Sequence, residues 1–300
     1  MKPLVILILI CFFFNGYSQT RVRFLDMMYN TFDTIKNIQY GHAVNIKGID
    51  ETLLLDFYQP HHDQMKKRPL VIFVHGGGYI GGDKATGYPM VFTDGLCKRG
   101  YVVSSINYRL GLEESKSDTV YFESMFRVMQ DAKAAVRYFR KNATQYGIDT
   151  SKIYIMGGSA GAHAVLHLAY LDESELPPYY NKSKIGSLEG NSGNDGYSSK
   201  VKAVINCWGA IIDMYWIHKG DMPFYGIQGT TDIFVPVDSS EHMHGFKYGT
   251  RAIYHYAQSL NILSGMKIYE NTGHTLDNNV SKQKEALAEA CNWLYKIVKK

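Results

Sequence analysis

Apolar residues along this chain follow two rhythms. Short continuous or alternating runs predict strands over 38–46, 52–58, 70–75, 101–108, 152–157, 201–209, 223–229 and 266–271. Between them the period lengthens to that of a helix. Val128, Ala132, Ala135, Val136 and Phe139 form one stripe, and Leu287, Ala290, Cys291, Leu294 and Val298 form another. The run Leu70-Val71-Ile72-Phe73-Val74 shows no polar alternation, which is how a strand covered on both faces reads. Strands alternating with helices predict an α/β fold, a mostly parallel sheet with helices on both faces. The short turn Lys47-Gly48-Ile49-Asp50 joins the first two strands, so these are expected to pair antiparallel at one edge.

Two stretches break the rhythm. Residues 1–18 open with Lys2, continue as an apolar run from Leu4 to Phe14 too short to span a bilayer, and end on the small-x-small pattern Gly16-Tyr17-Ser18. They read as a signal peptide cleaved near Ser18-Gln19, which predicts a secreted or periplasmic protein with 19–300 as a single domain. Residues 172–200 are rich in Ser, Gly, Asn and Tyr. A loop of that length is either functional or a surface insertion, which makes it a candidate lid or pocket wall.

Composition narrows the picture modestly. A chain of this length buries about three quarters of the surface it exposes when unfolded, so it needs no disulfide or metal to hold it. Without Cys11 three cysteines remain, Cys97, Cys207 and Cys291, too widely spaced for a metal knuckle and read as buried free thiols. The net charge of +4 includes Lys2, and no basic block stands out beyond Lys299-Lys300, which argues against nucleic acid as a partner. No later segment is apolar enough to span a membrane.

The chemistry concentrates at strand ends. Gly157-Gly158-Ser159-Ala160-Gly161 follows one predicted strand and opens a helical run over 162–171, the setting a G-x-S-x-G nucleophile elbow requires. His75-Gly76-Gly77-Gly78 closes the most apolar strand. Consecutive glycines let backbone N–H groups approach a developing oxyanion, so Gly77 and Gly78, with Ala160, are the candidate donors. His75 reads as a brace for this loop. A serine hydroxyl needs a base, and the base needs an orienting acid. Asp232, in Gly229-Thr230-Thr231-Asp232, and His274, in Asn271-Thr272-Gly273-His274, lie past later strands in the order Ser, Asp, His. Asp213 is a second candidate acid. His242 and His244 are expected early in a helix, as surface residues. His163 and His167 stand four apart on an apolar helix and read as packed rather than metal-binding. The glycines at 76, 78 and 81 match the dinucleotide fingerprint only as letters, because neither the helix nor the acidic residue follows.

These motifs together resemble the α/β-hydrolase serine esterases: the HGGG loop, the GGSAG elbow, the GTTDIFVP acid loop and the NTGH terminus. The chain is most similar to bacterial carboxylesterases and feruloyl-esterase-like enzymes, and more loosely to the hormone-sensitive-lipase group. That group usually carries an acidic residue before the serine and a second glycine after the motif, where this chain has Gly158 and Ala162. The resemblance implies the α/β-hydrolase fold with an eight-stranded sheet, and neither metal nor organic cofactor. It also implies a bracing role for Asn107-Tyr108-Arg109, and Arg109 and Asp131 are read as structural. The function expected is hydrolysis of a small-molecule or carbohydrate-linked ester, with acetyl or feruloyl groups on plant polysaccharides as candidates. The alternatives are a peptidase or amidase of the same fold, or a non-catalytic binding module. Aromatic residues near the site, Tyr79 and Trp208 first among them, are candidate substrate walls.

Overall fold

The computed structural model describes residues 20–111, 117–242 and 244–299. The expected signal peptide and its cleavage point lie outside the described residues.

The described residues form ten strands: β1 (Phe32–Val44), β2 (Asp50–Pro60), β3 (Arg68–Val74), β4 (Val102–Ile106), β5 (Ile148–Gly158), β6 (Val204–Cys207), β7 (Phe224–Gly229), β8 (Ser239–His242), β9 (Gly245–Tyr248) and β10 (Ser264–Tyr269). Eight of them form one sheet in the order β1-β2-β4-β3-β5-β6-β7-β10. β1 pairs antiparallel with β2 and β2 with β4, and every later pairing is parallel. This is the α/β-hydrolase sheet, with its two antiparallel strands at one edge.

Helices cover both faces, as a buried parallel sheet requires. On one face α2 (Asp118–Lys141), α4 (Ala160–Tyr170) and α6 (Thr250–Ser259) pack a core that includes Phe126, Val136, Leu166 and Ile253, with the one-turn helices α3 (Ala143–Tyr146) and α5 (Lys182–Ile185) between them in the chain. On the other, α1 (Tyr88–Lys98) and α7 (Val280–Val298) pack Phe92, Leu96, Leu287 and Leu294 against the sheet. All seven residues of β3 are buried, in keeping with its unbroken apolar run. Cys97, Cys207 and Cys291 are buried and free, and burial pushes the Cys291 thiol up to about 11.

Three expectations change. The first strand starts six residues earlier than its alternation suggested. Register shifts between Ile35 and Ile38 and between Gln39 and Gly41 break the period of two along that exposed edge. The sixth strand contracts to Val204–Cys207, flanked by loop on both sides. His242 and His244 do not begin a helix. They belong to the hairpin β8–β9, while the helix starts only at Thr250. Its strands are four residues each and mostly polar, too short to leave a periodic signal.

The segment 172–200 folds back along the outside of α2. Gln130 donates to the carbonyls of Ile185 and Ser187, Lys133 and Arg137 meet Glu189, and Asn194 reaches the Tyr40 carbonyl on β1. Beneath this strap, Asp131 is buried and accepts from the Arg109 backbone N–H at 2.9 Å, from Arg109 Nε at 3.0 Å and from Ser192 at 2.7 Å. Arg109 donates onward to the carbonyls of Val44 and Arg127. One ion pair thereby joins β1, the end of β4, α2 and the strap. Removing one member of a buried pair strands the other, at a cost of about 3–5 kcal/mol. Asp131→Ala is therefore expected to lose roughly that much stability, read as a lower urea midpoint at unchanged slope.

Candidate active site

Ser159, Asp232 and His274 all follow the carboxyl ends of parallel strands, β5, β7 and β10, where open α/β sheets place their sites. β5 ends at Gly158, α4 begins at Ala160, and Ser159 makes the entire turn with φ 54° and ψ −122°. A non-glycine residue at positive φ is strained, so surrounding contacts must hold it. Helix α4 can start this abruptly because its first turn lies against the end of β3. A Cβ on Gly161 would overlap the carbonyl oxygens of Val74 and His75. The Ser159 N–H is tied to the Cys207 carbonyl of the neighbouring strand at 2.9 Å.

Ser159 Oγ lies 2.9 Å from His274 Nε2, and His274 Nδ1 lies 2.7 Å from Asp232 Oδ2. A carboxylate only accepts, so Nδ1 carries the proton and Nε2 is left to accept from the serine hydroxyl. The Asp232 side chain is fully buried. Its other oxygen accepts the N–H groups of Phe234 and Val235, so the acid loop curls around its own carboxylate. His274 is followed by four residues at positive φ, Thr275 to Asn278, and Gln283 of α7 ties the Thr275 carbonyl at 3.0 Å.

The oxyanion candidates sit opposite. Gly77 and Gly78 are exposed and hold φ of 114° and 63°. Among the described residues no acceptor takes the N–H of Gly77, Gly78 or Ala160. The loop is held from behind by tyrosine hydroxyls. Tyr88 accepts the Gly76 N–H at 2.8 Å, and Tyr108 donates to the His75 and Gly76 carbonyls at 2.9 and 3.2 Å. His75 stacks on Tyr108 with ring centroids 4.2 Å apart, and burial lowers its pKa, so the ring stays neutral. Asn107 accepts the Lys84 N–H and donates to Asp83, so Asn107, Tyr108 and Arg109 each hold a different part of the surroundings.

Tyr79 and Trp208, expected to line the substrate pocket, have no exposed surface. Tyr79 turns inward because its backbone is left-handed at φ 64°, and its hydroxyl donates to the Ala160 carbonyl at 3.0 Å. Trp208 lies beneath Tyr88 and Phe92. Both are braces. The apolar rim instead comes from Phe234, which is 61% exposed with its ring edge-on to His274 at 5.3 Å, and from the exposed Ile80 and Ile233. No sequence signal marks Phe234 or Tyr88 individually, although they adjoin Asp232 and the glycine-rich loop.

The other histidines and the second acid lie apart from the relay. Asp213 accepts the Tyr215 N–H in its own turn. His167 donates through Nδ1 to the His163 carbonyl at 2.7 Å, and burial pushes it down to about 4. Burial also takes His163 well below its ordinary value.

Sequence comparison finds esterases similar to part of this chain. Gut esterase 1 of Caenorhabditis briggsae is 36% identical over 124 residues, 40% of this chain and 21% of that protein. A probable isoprenylcysteine alpha-carbonyl methylesterase of Oryza sativa subsp. japonica is 38% identical over 109 residues, 36% of this chain and 23% of that protein. The chain thus spans under a quarter of the length of these curated relatives. Two solved structures share the fold. Thermogutta terrifontis esterase 2 phosphorylated by paraoxon superposes with a TM-score of 0.66 at 21% identity, covering 92% of this chain and 98% of that one. A truncated carbohydrate esterase from gut microbiota gives 0.65 at 20% identity, covering 92% and 99%. The BD-FAE family profile matches residues 55–215. That match takes in strands β3 to β6, the glycine-rich loop and the elbow, and it covers more than half the sequence, so the chain belongs to the BD-FAE family of α/β-hydrolase esterases.

Proposed function

We propose that this protein is a serine esterase that hydrolyses carboxylic esters through an acyl-enzyme on Ser159. The observation that carries the reading is the unbroken relay from buried Asp232 through His274 to Ser159, at 2.7 and 2.9 Å. In acylation Ser159 Oγ attacks the ester carbonyl carbon while His274 Nε2 takes its proton. The negative charge gathers on the former carbonyl oxygen, facing the free N–H groups of Gly77, Gly78 and Ala160. Collapse breaks the bond to the alcohol, which leaves with the proton from His274. Water then repeats the sequence on the acyl-enzyme, yielding the acid and free Ser159. Asp232 keeps the imidazole in the useful tautomer and stabilises the imidazolium.

Carbohydrate-linked esters, acetylated or feruloylated, are the substrate class we favour. The carbohydrate esterase among the fold neighbours and the exposed, partly aromatic rim of Ile80, Ile233 and Phe234 support it. Such polymers lie outside the cell, in keeping with export directed by residues 1–18.

Ser159→Ala is expected to lower release of p-nitrophenol from p-nitrophenyl acetate by roughly 10⁴-fold or more, with unchanged circular dichroism. A variant that retains wild-type turnover would remove Ser159 from the chemistry. Asp232→Asn should leave the fold in place yet hold His274 in the wrong tautomer, reducing kcat by about 10³–10⁴ with little change in KM. Steady-state kinetics of the purified variant on the same ester decide it.

A further inference from the structure

Two aromatic rings of the described residues meet the His274 imidazole. Trp208, 6.5 Å away, has no exposed surface, whereas Phe234, 5.3 Å away and inclined at 62°, is 61% exposed. Phe234 therefore stands on the open side of the base, with the exposed Ile233 preceding it. A single exposed apolar side chain is ordinary. Two in succession, beside a base that is itself mostly covered, are not. The turn that carries them is fixed from three directions. Asp232 accepts the N–H groups of Phe234 and Val235 at 2.9 and 3.0 Å. Gln228, buried in β7, donates to the carbonyls of Val235 and Pro236 at 2.8 and 3.1 Å. His242 Nε2, from the hairpin β8–β9, donates to the Ile233 carbonyl at 3.1 Å. A ligand that meets the Phe234 ring therefore finds its backbone already ordered, which spares part of the cost of binding.

The reaction decides which half of an ester meets that ring. His274 Nε2 takes the Ser159 proton and must hand it to the alcohol oxygen. That oxygen therefore comes within hydrogen-bond reach of Nε2, about 2.6–3.2 Å. The first carbon of the alcohol lies one bond beyond it, against the surroundings of the imidazole. The acyl chain departs instead from the carbonyl carbon, which sits between Ser159 Oγ and the N–H groups of Gly77, Gly78 and Ala160. Four bonds diverge from that carbon in the tetrahedral intermediate, so the two halves of the ester point different ways. A ring beside His274 is placed to touch the alcohol.

We propose that Phe234 is the specificity-determining residue for the alcohol half of the ester, and that it favours alcohols presenting the face of a ring. This rests on the esterase reading and adds to it which half of the substrate is read, and by which side chain. A sugar ring offers its C–H bonds to an aromatic face, and an aryl alcohol offers its own ring, so both sources share one contact chemistry.

Two isomeric esters test the idea. Benzyl acetate carries its ring on the alcohol, and methyl phenylacetate carries the same ring on the acyl part. Dividing the variant's ratio of kcat/KM for the two by the wild-type ratio cancels their different intrinsic reactivity. Phe234→Ala should lower the ratio of benzyl acetate to methyl phenylacetate by about three- to tenfold. Phe234→Tyr, which keeps a ring, should restore most of it. The ratio of 6-O-acetylglucose to methyl phenylacetate, measured in the same way, shows whether the ring that Phe234 reads is a sugar, an aryl group or either. Ratios unchanged for both benzyl acetate and 6-O-acetylglucose overturn the proposal. That is the outcome if Phe234 only packs against His274, since its loss would then slow every ester alike. A variant that loses more on methyl phenylacetate overturns it too, because the ring would then serve the acyl half. So does wild-type protein that cleaves 4-nitrophenyl acetate but neither benzyl acetate nor 6-O-acetylglucose. Wild-type protein inert toward all four esters would instead overturn the esterase reading itself.

Discussion

The contact between Gly161 and the end of β3 is the constraint on which the site depends. Two backbones meet there with no room for a side chain, so α4 can begin one residue after β5 ends. Ser159 is forced into a left-handed conformation, and its hydroxyl is presented above the sheet rather than within it. The strain is local, and the surroundings over-determine it: a hydrogen bond to Cys207, a helix behind, and a sheet beneath. The same contact sets the position of the glycine-rich loop, because Val74 and His75, which Gly161 touches, lead directly into it. Ser159 and the glycines at 77 and 78, the proposed nucleophile and oxyanion donors, are therefore placed by one packing event.

That arrangement creates a second problem, which the tyrosines solve. A loop leaving the sheet between buried layers forfeits its ladder partners, and each unpaired backbone group there is costly. Tyrosine suits this role because its ring packs like a core residue while its hydroxyl reaches a carbonyl or N–H. Tyr79, Tyr88 and Tyr108 do this around the glycine loop and the elbow, and Tyr40 binds the Asn107 carbonyl beyond them. With 23 tyrosines in the chain, much of its aromatic content near the site is scaffold rather than substrate wall.

This explains which parts of the protein the sequence made legible. The eight sheet strands, the elbow, the glycine loop and the Asp-then-His order all follow from local rules: period, glycine placement and chain order. The role of Tyr79 does not. Proximity in sequence to Gly78 suggested a pocket wall, but whether a side chain turns toward solvent or core depends on φ, and φ there is set by packing against Ala160 and Tyr121. Phe234 was hidden for a related reason, since its exposure follows from the tight turn that Asp232 imposes on its own loop. The hairpin β8–β9 was hidden because its stability comes from the neighbours it bridges, not from an apolar pattern of its own.

Catalysis and recognition thus rest on different kinds of sequence. The relay sits at the ends of strands buried on both faces, where little can shift. The exposed apolar side chains beside it, Ile233 and Phe234, lie instead on a turn inserted between those strands. The difference is one of constraint: Asp232, His274 and Ser159 are held by buried strand ends and by each other, whereas Phe234 answers only to the turn that Asp232 imposes on its own loop.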